Sequence, residues 1–117
     1  VKFELFPEGD LRPGDLREVV VEGVSIVLLR KADGSFRALR NRCSHQGGKL
    51  SDGRLEPMLD ASAPGQFHYA PGREVLRCPL HQFEFDVDSG LSPADPQRVR
   101  VASYEVTVEQ GTVCLRR

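Results

Sequence analysis

The chain has 117 residues, which fits one domain able to bury an apolar core without disulfide support. Apolar residues make up 39% and charged residues 28%, an ordinary globular balance, and the formal net charge is −1. That charge leaves no basic excess to neutralise nucleic-acid phosphates, and no apolar run approaches the roughly 20 residues of a membrane span. Neither nucleic acid nor a membrane is an expected partner.

In chain order, the predicted strands are Lys2–Phe6, Glu18–Glu22, Ser25–Arg30, Phe36–Arg40, Glu74–Arg77, Phe83–Val87, Tyr104–Glu109 and Val113–Arg116. Some alternate with period two: Tyr104, Val106 and Val108 would share one face, and Glu105, Thr107 and Glu109 the other. Turn signals at Pro13-Gly14-Asp15, Asp33-Gly34, Asp88-Ser89-Gly90 and Gln110-Gly111 separate them. No long amphipathic helix is evident, so the pattern predicts an all-β sandwich or barrel. Three stretches read as loops: Asn41–Gly53, rich in glycine and polar residues; Glu56–Gly65, with Pro57 and Pro64; and the proline-marked Ser92–Gln97.

The three cysteines, Cys43, Cys78 and Cys114, form no disulfide framework. A reducing compartment follows, with the cytoplasm expected because VKFELFPEGD lacks a signal-peptide pattern. The first residue is Val, which fits either a processed start or a piece of a longer chain. Cys114, on a predicted strand with no histidine near it, reads as a buried apolar thiol.

Chemistry concentrates in Cys43-Ser44-His45 and Cys78-Pro79-Leu80-His81. In a strand, residues two apart share a face but lie about 6–7 Å apart, so two ligands converge on one centre more readily from a tight loop. Gly47 and Gly48 let the first loop curl close to that centre, and Pro79 stiffens the second. Two thiolates and two imidazoles suit tetrahedral zinc or a mixed-ligand 2Fe–2S cluster. Zinc sites commonly take a Cys pair and then a His pair, whereas each loop here supplies one of each. The bland reading, a buried cysteine pair with two ordinary histidines, has to explain two matched Cys–His loops. His68, outside both loops, reads as a strand or surface residue. Arg37, Arg40 and Arg42, which lead into Cys43, read as a solvated face before a docking surface.

At these residues the sequence resembles the Rieske ferredoxin family. Cys43-Ser44-His45-Gln46-Gly47-Gly48-Lys49-Leu50 matches its first loop, C-x-H-x-G-x-x-L. Cys78-Pro79-Leu80-His81, followed by Phe85-Asp86 and Gly90, matches its second. The resemblance implies a Rieske-like β-sandwich with a small cluster-binding subdomain, about residues 41–90, in a single domain spanning 1–117. It implies one Rieske-type 2Fe–2S cluster, with Cys43 and Cys78 on the inner iron and His45 and His81 on the outer iron. Ser92–Gln97 would be the proline loop covering it.

The implied function is one-electron transfer from a reductase to a terminal oxygenase or other oxidoreductase, with no catalytic residue of its own. A non-haem iron triad needs two histidines and a carboxylate, and His68 alone cannot complete one. Two alternatives stay open from the residues: a Rieske domain excised from an oxygenase, and a structural zinc module that binds another protein.

The sequence departs from the family's patterns in three ways. The interval from His45 to Cys78 is longer than ferredoxin-type members usually have, with the excess around Glu56–Pro71. Gly48 and Leu80 stand where the respiratory members place a bracing disulfide. Phe83 and Phe85 stand where those respiratory members place hydroxyl donors to the cluster. With fewer hydrogen bonds to stabilise the reduced charge, the reduction potential is expected near the low end of the roughly −150 to +300 mV Rieske range. A redox titration giving a midpoint above about +100 mV contradicts this.

Overall fold

The computed structural model describes residues 1–43, 48–63, 66–79 and 83–117, with side chains at all of these except 59–63 and 66–71. Among them the strands are β1 Lys2–Pro7, β2 Leu16–Val21, β3 Val24–Arg30, β4 Phe36–Arg40, β5 Arg54–Ala63, β6 Gln66–Arg77, β7 Glu84–Asp86, β8 Ser103–Glu109 and β9 Thr112–Arg116. Short 3-10 turns at Glu8–Asp10 and Leu50–Asp52 are the helical elements. The strands form a six-stranded antiparallel sheet in the order β1-β9-β8-β4-β3-β2, and a smaller one in the order β5-β6-β7. The expected all-β architecture is what the chain adopts.

Side-chain alternation in β3 and β4 divides the interior in two. Ile26 and Leu28 point into a core with Phe6, Leu11, Phe36, Ala38, Val113 and Leu115. Val27, Leu29 and Leu39 point the other way, into a core with Leu50, Leu76, Phe85, Val87 and two cysteines, Cys43 and Cys78. Residues 26–29 are all 0% exposed, so β3 is covered on both faces and its unbroken apolar run follows. Burying each such side chain contributes about 1.5–3 kcal/mol, and a one-residue slip in register would exchange the two faces.

One predicted loop is a strand. Residues 56–63 of the Glu56–Gly65 stretch lie in β5, which pairs with β6 in a long hairpin; 64–65 lie outside the described residues. β5 is an edge strand, the place where a sheet tolerates a residue that cannot donate to the ladder, and Pro57 sits opposite Glu74. The register shifts directly after it, so that Met58 faces residues 70–73 before Leu59 pairs with Tyr69.

That irregular segment is tied to the large sheet. Lys31, only 4% exposed, donates from Nζ to the Gly72 carbonyl (3.0 Å) and to the Asp88 carboxylate (3.2 and 3.3 Å). Arg37 Nε also donates to Asp88 (2.8 Å). Asp86, nearly buried, pairs with Arg73 and accepts from the Asp88 N–H.

Partial burial pushes the Asp88 carboxyl up, but hydrogen bonds from Arg37 and Lys31 outweigh it and hold the group below its ordinary value. Its stabilising contribution is therefore complete above the ordinary aspartate pKa and is lost as the pH falls through the lowered folded value. Urea denaturation should show Asp88→Asn less stable than wild type at neutral pH, with the gap closing in acid. A gap that stays constant down to about pH 2 contradicts the clamp.

Candidate metal centre

Both loops that carry the predicted ligands are closed by the same backbone hydrogen bond. Cys43 N–H donates to the Gly48 carbonyl and Cys78 N–H to the Phe83 carbonyl, each at 2.7 Å and each reaching five residues ahead. Each cysteine is thus the first residue of a pinched loop. Neither is in a disulfide, both are 0% exposed, and both lie in the second core. Gly48 is engaged in closing its own loop, at one of the two positions where a bracing disulfide would stand.

The predicted ligands His45 and His81 lie outside the described residues, as does Leu80. Among the described residues, no three His, Cys, Asp or Glu side chains converge as metal ligands. His68 is backbone-paired with Asp60 in the β5–β6 hairpin. Cys114 is 0% exposed on β9, its thiol directed at the Thr112 carbonyl (3.6 Å), which suits the apolar role expected for it. Phe85 is fully buried beside the cysteines, and Phe83 packs against the same core.

A side-chain network holds the two ends of the first loop together. Asn41, 4% exposed, accepts from the Ser51 N–H at 2.7 Å. Its Nδ2 is shared between Ser51 Oγ (2.9 Å), Ser25 Oγ (3.1 Å) and Glu18 Oε2 (3.2 Å). Glu18 in turn pairs with Lys49. Hydrogen bonds from Ser25 and Lys49 hold the Glu18 carboxyl below its usual range. The base of the second loop is fastened by Arg77, which reaches Glu84 (2.7 Å) and Glu56 (3.2 Å).

The loop bases also touch through a glycine. A Cβ on Gly53 would lie 1.8 Å from the carbonyl oxygen of Arg77, the residue before Cys78, so no side chain fits there. Val99 and Val101, which follow the Ser92–Gln97 loop, pack against the cysteine core. Neither Asn41 nor Gly53 was legible as a site residue. A polar residue after a strand and a glycine in a turn carry no specific signal until the partner, ten or more residues away, is known.

Two buried thiols, not joined in a disulfide, at the mouths of matched loops fit a group bound through thiolate on one side. Comparison with known proteins agrees. The sequence matches the Rieske 2Fe–2S domain over residues 1–105. It is 34% identical over 106 residues to the ferredoxin component of a naphthalene 1,2-dioxygenase system from Pseudomonas putida, covering 91% of this chain and 86% of that one. Among solved structures, it superposes with TM-score 0.82 on a protein assigned as the small subunit of an NADH-dependent nitrite reductase from Mycobacterium tuberculosis. That match has 26% identity and covers 100% of this chain and 95% of the other. It superposes with TM-score 0.74 on the ferredoxin of carbazole 1,9a-dioxygenase from Nocardioides aromaticivorans, at 26% identity over 98% and 96%.

The fold and the paired loops define a single-electron iron–sulfur class. The chain belongs to the Rieske 2Fe–2S domain family, and its cofactor is a Rieske-type 2Fe–2S cluster.

Asn41→Ala leaves the Ser51 N–H and the shared acceptors without their buried partner. It is expected to cost about 2 kcal/mol, read as a fall of several degrees in melting temperature. An unchanged melting temperature would show that the network does not brace the loop.

Proposed function

We propose that this protein is a one-electron carrier whose 2Fe–2S cluster is held by Cys43, His45, Cys78 and His81. It takes an electron from a reductase and passes it to a terminal oxygenase or other oxidoreductase. The observation that carries the reading is the pair of buried cysteines, not joined in a disulfide, at the mouths of identically closed loops in a Rieske-family chain. Bound there, the cluster supplies a one-electron couple.

The chain's own residues supply the surroundings. Leu50, Leu76, Phe85 and Val87 keep water from the thiolates, lowering the local dielectric around them. Asn41 holds the two ends of the first loop together, and Gly53 sets that loop's base against the base of the second. Residues 41–90 are taken as the cluster-binding subdomain, and the Ser92–Gln97 loop as its cover. The two imidazoles are assigned to the outer iron, where electrons would enter and leave.

The relatives' names support the choice of partners: several are ferredoxin components of aromatic-ring dioxygenase systems. In such a system the chain is not itself the catalyst. No described helix is long and apolar enough to cross a membrane, and three cysteines outside any disulfide fit a reducing cytoplasm. A second reading, the small subunit of a nitrite reductase, is favoured by the backbone agreement along the whole chain. A stable complex with a catalytic subunit would select that reading, whereas encounters with a reductase and an oxygenase are expected to be transient and small.

Anaerobically purified protein should be red-brown, with about two iron and two labile sulfides per chain and an EPR signal on reduction. His45→Ala and His81→Ala should each lose that chromophore. A colourless protein with one zinc, or either variant with an unchanged reduced spectrum, rejects the assignment.

A further inference from the structure

The cations of this protein are unevenly committed. Lys2, Arg17, Lys31, Arg37, Lys49, Arg54, Arg73, Arg77, Arg116 and Arg117 are all in ion pairs, and Arg30 donates to three backbone carbonyls. Arg12, Arg40, Arg42, Arg98 and Arg100 are exposed, and among the described residues no ion pair or side-chain hydrogen bond engages their guanidiniums. Three of them, Arg40, Arg42 and Arg100, line one open groove together with Val101 and Ala102. Arg40 and Arg42 line a second groove beside it, with Lys49, Asn41 and Ser25. No acidic residue lines either groove among the described residues. The arginine triplet read from the sequence is therefore regrouped. Arg37 is spent on Asp88, and Arg100, far along the chain, takes its place.

The walls of the groove are joined through the backbone, and it sits against the cysteine core. Arg40 N–H donates to the Ala102 carbonyl (2.8 Å), stitching the two walls, and Arg100 is bridged to Leu91. Arg42 immediately precedes Cys43, and Val101 on the floor packs into the core that holds both cysteines. Three uncompensated guanidiniums around an apolar floor match a carboxylate-bearing protein surface, since arginine pairs with carboxylates in two-pronged fashion and a small apolar centre excludes water. The groove is open and has no buried polar group to hold a small anion, and a net charge of −1 disfavours nucleic acid.

We infer that Arg40, Arg42 and Arg100 form the docking face for the acidic surface of a redox protein, placing that partner beside the Cys43 loop. This rests on the electron-carrier reading and specifies its partner. Against an overall negative charge, the local field would steer encounters and make them salt-sensitive.

The test measures electron transfer from the reduced protein to acidic cytochrome b5, with basic cytochrome c as control, by stopped flow. The cytochrome b5 rate should fall about tenfold from low to high ionic strength. The triple variant R40Q/R42Q/R100Q should show the high-salt rate at all salts, with its rate toward cytochrome c not lowered; any shift of its reduction potential should be downward, which would speed rather than slow the transfer. A cytochrome b5 rate that is flat or rises with salt, or that the variant leaves unchanged, overturns the docking face. A purified chain without a reducible cluster would instead sink the electron-carrier reading. Docking is then read on isotope-labelled cytochrome b5 by NMR. Shifts at its acidic face produced by the wild type and absent with the variant support the surface, and no shifts overturn it.

Discussion

The site depends on a central hairpin that is buried on both faces. Because β3 and β4 alternate strictly, Ile26, Leu28 and Ala38 serve one core while Val27, Leu29 and Leu39 serve the other. The first core closes the large sheet on itself. The second is the bed on which the loop bases lie, and its membership is what keeps Cys43 and Cys78 dry. Register fixes which residues face the thiols, so the pairing of Ile26 with Arg40 and Leu28 with Ala38 is as much a determinant of the metal centre as the loops are.

Much of this was legible in the chain, for identifiable reasons. Phe36–Arg40 was placed to the residue, and most other strands to within two, because apolar alternation and turn residues both mark them. The paired Cys–His loops announced a metal because two such pairs with glycine and proline context have few bland explanations. Residues 56–63 were misread because Pro57 and the neighbouring small residues signal a loop wherever the strand's position in its sheet is unknown. As an edge strand with a register shift, β5 accommodates them. Asn41 and Arg100 were illegible as partners of the site because the contacts that give them a role are made in space, with Ser51 and Ser25 in one case and with Arg40 and Arg42 across a groove in the other.

The first loop shows how a fold can do without a covalent brace. A disulfide joining the two loops would constrain them chiefly by limiting the unfolded chain. Gly48 cannot form one, and restraint comes instead from several weaker contacts within and between the loop bases: the matched backbone closures, the Asn41 network and the contact of Gly53 with the Arg77 carbonyl. Each hydrogen bond contributes only about 1 kcal/mol net, but all are buried or half-buried, where leaving a polar group unpaired costs more than pairing it gains. Such a brace survives a reducing environment that would open a disulfide.

The long β5–β6 hairpin tests whether that restraint can coexist with an extended excursion of the chain between the two loops. Lengthening a loop adds little closure entropy, since each doubling costs about 0.6 kcal/mol. What matters is whether motion in the excursion reaches Cys78. Three fastenings lie between the far end of the hairpin and that residue, two of them in the irregular segment: Lys31 on the Gly72 carbonyl, Arg73 on Asp86, and Arg77 on Glu84 and Glu56. They occur at intervals along the last stretch of β6, and each joins it to a different neighbour: the large sheet, the end of β7, and β7 with β5. A displacement at the far end of the hairpin would have to break all three to tilt the second loop. Beyond these fastenings the hairpin is thus able to change without moving the thiol at its root.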